Sequence, residues 1–388
     1  MSSLPSDLRP TWVEIDLEAF DANTATLASL LPRNASTIAV LKADAYGHGA
    51  VELARRCERN GIAMIAVALI EEGLELRRAG ISLPVLVLGP LNEQQIRIAV
   101  DERLTLGIPG PEELELAARV AQEREVVIHL KIDSGMGRMG CVETEFPRIA
   151  ELLQSAPNLH LEAIYTHFAN ASDPDDPMTS DQLARFDTLL ATLRQAGISA
   201  PRQHAANSAA VLRGVVSPGD FVRIGLALVG GDPLDHPLPE GHPPLRPVMR
   251  WRTEIARLKE LPAGHVVGYG ATFRTARPSR IATLPVGYAD GYGRRLSNRG
   301  EVLVRGQRVP VVGRVSMDLV TIDVTDVPEA AVGDEVILMG GQGEERITVE
   351  ELAVKLDTIS HEVFCAVGSR VPRIYAETGR ARIRSRFQ

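Results

Sequence analysis

Apolar, strand-like runs at residues 37–41, 62–68, 83–88, 103–107, 126–132, 159–165, 201–205 and 220–224 alternate with helix-like segments, and this alternation constrains the fold more than any other feature. Helical periodicity is clear at 92–100, 111–124 and 180–196. The last of these carries Leu183, Phe186, Leu189, Leu190 and Leu193 on one face and stops at Gly197. Eight strands separated by helices over roughly 200 residues predict an α/β chain with a closed, TIM-like (β/α)8 barrel, although the same periodicity fits an open sheet. Upstream, residues 11–16 alternate as a strand. The segment that follows reads as a helix with Phe20, Leu27, Leu30 and Leu31 as its apolar positions.

The alternation ends at residues 232–247, which hold six prolines and interrupt regular structure. Beyond them come short strand-like runs broken by Gly and Asn, with one helix expected at Val349 to Leu356 behind a Thr348 N-cap. A chain of 388 residues exceeds the length over which a single core keeps growing, so two domains are expected. They are a barrel over 1–240 and a mostly β domain over 241–388, with residues 1–16 pairing with the latter. The net charge of −8 argues against nucleic acid or an anionic membrane as partner. Cys57, Cys141 and Cys365 show no metal-binding spacing and no even-numbered framework. No run approaches membrane-spanning length and residues 1–12 lack an apolar leader core, so a cytoplasmic protein without a metal is expected.

Polar outliers cluster at the C-terminal ends of the expected barrel strands, where barrels of this type carry their active sites. Lys42 and Tyr46 follow the first strand, Lys131 and Asp133 the fifth, and His167 the sixth. His204, Asn207 and Ser208 follow the seventh, and Arg223 lies on the eighth, ahead of Gly225 and Leu226. A lysine held at the end of a buried strand, with its pKa lowered by its neighbours, is a nucleophile toward an aldehyde. Ser208 and Gly225 offer a hydroxyl and a backbone N–H to a phosphate dianion, although an N-cap and a turn is the more ordinary role of a serine and a glycine so placed. Arg223 interrupts an apolar run and needs a partner, which a salt bridge at the barrel rim would also supply.

The string AVLKADAYGHGA (39–50) resembles the pyridoxal-phosphate lysine motif of bacterial alanine racemases. KIDSGMGRMG (131–140), HAANSAA (204–210), VVGYGATF (266–273), LPVGYADGYGR (284–294) and VGRVSMDLVTIDV (312–324) extend the resemblance from about residue 12 to about residue 375. It implies a homodimeric enzyme that interconverts L- and D-alanine with pyridoxal 5′-phosphate, in the service of peptidoglycan synthesis. The resemblance assigns the cofactor to Lys42, Tyr46, His167, Asn207, Ser208, Arg223, Gly225 and Leu226, with Arg223 at the pyridine nitrogen. A permanent cation there disfavours ring protonation, which suits racemisation and suppresses transamination.

Inverting Cα cleanly needs one group to remove a proton and another to return it from the opposite face. The resemblance gives Lys42 the D-alanine face and Tyr269, from the partner subunit, the L-alanine face. It places Arg138 at the substrate carboxylate, the Met317 backbone at the carboxylate in the other subunit's site, and Tyr288 along the access corridor. Lys131 is implied to be carbamylated, because two cations facing one cavity repel while a carbamate would orient Arg138. Asp44 and Ser316 depart from the asparagine and cysteine of some relatives. Ser369 replaces a tyrosine that in some members holds the phosphate and crowds the alanine methyl, and a serine there leaves more room for a larger side chain. Alternatives are a racemase of broader specificity, a barrel-type amino acid decarboxylase, whose H-x-G-G-G loop is absent here, and a noncatalytic cofactor carrier, which has no use for a second base.

Overall fold

The computed structural model describes residues 9–216, 221–234, 244–377 and 380–384. Strand β1 (Thr11–Asp16) precedes eight strands that all run parallel. These are β2 (Ser36–Val40), β3 (Met64–Val67), β4 (Val85–Val87), β5 (Thr105–Ile108), β6 (Val126–Lys131), β7 (Leu159–Tyr165), β8 (Arg202–His204) and β9 (Phe221–Ile224). Their order is β8-β7-β6-β5-β4-β3-β2-β9, so the last strand returns beside the first and the sheet curls into a TIM-like near-barrel. The seam between β8 and β9 is bridged beyond the strand end by the Arg223 N–H donating to the Ala206 carbonyl at 2.9 Å. Strands β3, β4, β5 and β9 are buried at every residue, because helices cover the outside and side chains fill the interior.

Local chemistry sets the helix boundaries. Asn92 caps Glu93–Asp101 by accepting the Gln95 N–H at 2.9 Å, and Gln95 reaches back to the Asn92 N–H at 3.0 Å. Pro111 opens Pro111–Ala121, where its missing N–H costs nothing. Met178–Gln195 buries Phe186, Leu189, Leu190 and Leu193 against the barrel.

β1 lies outside the barrel, in a second sheet. It pairs antiparallel with Met249–Glu254 and parallel with Arg373–Glu377, and the sheet continues through Glu335–Gln342, Glu301–Val304 and Gln307–Pro310. A three-stranded sheet of Arg257–Leu261, Ser279–Leu284 and Val320–Asp323 stands beside it. The expectation of one helix in this half is corrected. Val349–Leu356 is present, capped by Thr348 accepting the Glu351 N–H at 3.1 Å, and a second helix follows at Ser360–Ala366. That helix has only seven residues and its N-cap, Ile359, offers no side-chain acceptor, so it carries none of the usual start signals. Residues 235–243 of the proline-rich stretch, residue 220 of the eighth expected strand and residues 1–8 lie outside the described residues. Among the described residues no helix is long and apolar enough to cross a membrane.

Candidate active site

A cavity of about 710 Å³ opens at the C-terminal ends of the barrel strands. It gathers Lys42, Tyr46, Lys131, Arg138, His167, Asn207, Ser208, Arg223, Gly225 and Leu226, ten of the residues singled out from sequence. Four others lie elsewhere in the single chain. Tyr269 is 72% exposed, Tyr288 41% and Met317 53%, and Ser369 is also on the surface. The cavity wall includes residues that the sequence did not flag, namely Thr358, Ile359, Ser360 and His361 of the second C-terminal helix and its approach, and Tyr165 of β7.

Lys42 and Tyr46 reach the cavity by an unusual backbone path. Ala43, Asp44, Ala45 and Tyr46 all have φ of 53–54°, forming one left-handed turn. Each such residue costs about 1–2 kcal/mol relative to a right-handed turn, so the path must be held from outside. Glu72 accepts the Ala43 N–H at 2.6 Å, and its other oxygen accepts from Ala68 and Leu69. Asp44 accepts the Ala50 N–H at 2.8 Å and is paired with Arg384. His48 Nδ1 lies 3.0 and 2.9 Å from the Ala45 and Tyr46 carbonyls, and Arg373 donates to the Gly47 carbonyl at 3.1 Å. The second sheet thereby holds the cavity's first loop. Nothing in a one-dimensional sequence marks this turn except Gly47 and Gly49 at its exit.

At one end of the cavity Ser208 Oγ accepts the Gly225 N–H at 3.0 Å and lies 3.5 Å from the Ala227 N. Asn207 accepts the Ala210 N–H at 3.1 Å and caps Ser208–Leu212. The Tyr46 hydroxyl lies so close over Gly225 that a Cβ there would sit 2.2 Å from it. Burial raises the Tyr46 phenol above its usual range, so it remains an O–H donor. Leu226 begins a 3-10 turn whose first N–H groups have no partner within the turn. His361 meets the Tyr46 ring edge-on at 5.6 Å, and burial and the nearby Lys42 lower its pKa.

The other polar centre is Arg223, only 4% exposed. Nη1 donates to His204 Nδ1 at 2.7 Å and to the His204 carbonyl at 3.0 Å. Nη2 donates to the Thr166 carbonyl at 2.8 Å, His167 Nδ1 at 2.9 Å and the Ala205 carbonyl at 3.1 Å. Nε–H makes no hydrogen bond among the described residues. Burial holds the guanidinium down to about 10, still charged at neutral pH. His167 and His204 are driven well below the ordinary imidazole range by burial and then by Arg223, so both rings are neutral.

Lys131 is buried at the end of β6. Burial pushes its pKa down to about 8, with Arg138 and Arg223 adding to the shift and Asp133 opposing it. Asp133 turns the glycine loop by accepting from Gly135 and Gly137, each at 2.9 Å.

The family model described as alanine racemase, N-terminal domain, matches residues 15–233, and the one described as alanine racemase, C-terminal domain, matches residues 248–375. The alanine racemase of Halothermothrix orenii is 42% identical over 370 residues, covering 95% of this chain and 97% of that one. The crystal structure of alanine racemase from Bacillus anthracis with bound L-Ala-P is similar with a TM-score of 0.92 at 36% identity, covering 99% of both chains. That of alanine racemase from Bartonella henselae with covalently bound pyridoxal phosphate has a TM-score of 0.85 at 29% identity, covering 95% of this chain and 100% of that one.

Proposed function

The chain belongs to the alanine racemase family, and on that footing we propose that it interconverts L- and D-alanine as a pyridoxal-phosphate-dependent homodimer. The observation that carries this reading is one cavity that holds a strand-end lysine, a hydroxyl and amide cradle, and a buried guanidinium with a spare donor. The donor set fits the cofactor. Tyr46, Ser208 and the N–H groups at Gly225 and Leu226 suit a phosphate dianion, and the Gly225 position is closed to any side chain by the Tyr46 hydroxyl. Arg223 Nε–H suits an unprotonated ring nitrogen, which accepts but does not donate. Lys42 is the amine that would bind the aldehyde carbon. When bound, pyridoxal phosphate supplies an electron-withdrawing ring that acidifies the Cα–H of the amino acid.

The chain's own residues then decide where the proton goes. Lys42 Nζ holds or returns it on the D-alanine face. Tyr269 Oη, contributed by a second copy of the chain, does so on the L-alanine face. The absence of Tyr269 from its own chain's cavity and its 72% exposure support this assignment. Arg138 and the Met317 backbone orient the substrate carboxylate, Tyr288 narrows the corridor, and Ser369 leaves space beside the methyl group. Arg223 keeps its charge at neutral pH and leaves the ring nitrogen unprotonated, favouring return of the proton to Cα. On this reading the enzyme works in the cytoplasm and supplies D-alanine to peptidoglycan, the role that its family implies. Chiral analysis of L-alanine and, separately, L-serine after incubation with the loaded protein tests the reading. Alanine alone is expected to approach an equal mixture of enantiomers. Comparable racemisation of serine would make Ser369 the determinant of a broader enzyme, and turnover of neither would sink the reading.

The same geometry supports carbamylation of Lys131. Only a neutral amine adds to carbon dioxide, and a pKa of about 8 leaves a useful neutral fraction at physiological pH. The unmodified amine binds fewer protons folded than unfolded between about pH 8 and its ordinary value of 10.5, so its contribution to stability rises with pH across that window. The carbamate removes this dependence. Protein depleted of bicarbonate is expected to gain thermal stability between pH 8 and 10, and added bicarbonate to flatten the profile. An identical profile with and without bicarbonate would contradict carbamylation.

A further inference from the structure

Arg223 is a buried cation without a carboxylate partner among the described residues, and burial dominates its environment. Its contact with His204 instead begins a chain that crosses the barrel interior. His204 Nε2 lies 2.9 Å from His129 Nδ1, and His129 Nε2 lies 2.9 Å from Glu162 Oε2. His204 and His129 are both 0% exposed, and Glu162 is half-buried on β7. Tyr165 stacks on His204 with centroids 4.5 Å apart and planes within 3°, and Phe221 stacks on His129 at 6.2 Å, so neither ring is free to turn.

The donors and acceptors of this chain can be assigned by elimination. A guanidinium only donates, so His204 Nδ1 accepts and its proton sits on Nε2. His129 Nδ1 must then accept, and its own proton sits on Nε2, facing a carboxylate that only accepts. Every link points the same way, from Arg223 to Glu162. A second proton on either imidazole, or a reversed tautomer, would set two donors face to face. The far end is secured because the His129 hydrogen bond lowers the Glu162 pKa, with Arg202 adding to it, so the acceptor stays ionised.

We propose that Glu162 is a remote positioning residue, which through His129 and His204 fixes the direction of the chain and holds the Arg223 guanidinium with its Nε–H toward the cavity. The proposal rests on the reading that Arg223 Nε–H meets the ring nitrogen of the cofactor. Without the carboxylate, His129 has no fixed acceptor at Nε2, both rings can exchange tautomers, and the guanidinium loses a directed partner on the side that keeps it aligned. Loss of that alignment weakens the bias against proton delivery away from Cα. Its signature is pyruvate formed from alanine by transfer of the amino group to the cofactor, relative to racemisation.

The test uses two variants. Glu162→Gln retains an acceptor oxygen for the His129 proton, and Glu162→Leu does not. In cofactor-free protein labelled with ¹⁵N-histidine, His129 and His204 are expected as Nε2–H tautomers. Glu162→Gln is expected to preserve that pattern and Glu162→Leu to lose it. In the loaded enzyme, pyruvate formed per racemisation is expected to rise about tenfold in Glu162→Leu, the size of one pKa unit, and to stay near the wild-type ratio in Glu162→Gln. Equal behaviour of the two variants overturns the proposal. So does a wild-type spectrum with His204 protonated at Nδ1, a result that needs no variant to fold. Failure of the wild type to racemise alanine would instead strike the functional reading, and the nitrogen spectra would still decide the relay.

Discussion

Lys42→Ala is expected to lower alanine racemisation by about 10⁴-fold, the upper range for removing a positioned base, because one change deletes both the covalent anchor and the base of one face. The residues proposed for the phosphate, Tyr46, Ser208, Gly225 and Leu226, remain in place, so the variant should still bind pyridoxal phosphate, more weakly. Borohydride reduction separates the two roles. In the wild type it is expected to leave the cofactor attached to the peptide containing Lys42, and in Lys42→Ala to leave it on no lysine. Attachment at Lys131 in the wild type would overturn the assignment, since Lys131 is the other cavity lysine and its pKa is lowered to about 8.

Tyr269→Phe is expected to slow turnover of L-alanine by about 10²–10⁴-fold while leaving the cofactor bound. The phenol is remote from its own chain's cavity, so neither the fold nor the cradle depends on it. Deuterium exchange gives a sharper signature than rate alone. With Lys42 intact, D-alanine in heavy water should still acquire deuterium at Cα without inverting, whereas exchange into L-alanine should fall with racemisation. Equal loss of both exchanges would mean that Tyr269 supports the site as a whole and does not serve one face.

Much of the fold was legible in the chain because parallel strands buried on both faces read as short apolar runs, and the runs at 126–132 and 159–165 correspond to β6 and β7 within a residue. The cavity was legible for the same reason. A polar residue stands out at the end of an apolar strand, as Lys42, Lys131, His167 and Arg223 do. What escaped depends on three-dimensional neighbours. His129 is a single histidine in an apolar strand until it meets His204, which is 75 residues away. The left-handed turn that carries Tyr46 is made of Ala, Asp, Ala and Tyr, none of which announces positive φ, and it survives on contacts from Glu72, Arg373 and Arg384. His361 was hidden because the short helix bearing it lacks a side-chain cap. Tyr269, Tyr288, Met317 and Ser369 form a different class. Their residue types are legible, but one chain does not bring them to its own cavity.

A second copy of the chain would have to bring them there, and a mixed dimer tests this. Lys42→Ala and Tyr269→Phe chains carrying different affinity tags can be co-expressed and the doubly tagged dimer isolated. If each site takes Lys42 from one chain and Tyr269 from the other, one of the two sites is wholly intact and the other lacks both bases. The mixed dimer should then regain about half of wild-type racemisation, although both parent dimers are nearly inactive. Activity no higher than that of the parents would contradict a site shared between two chains.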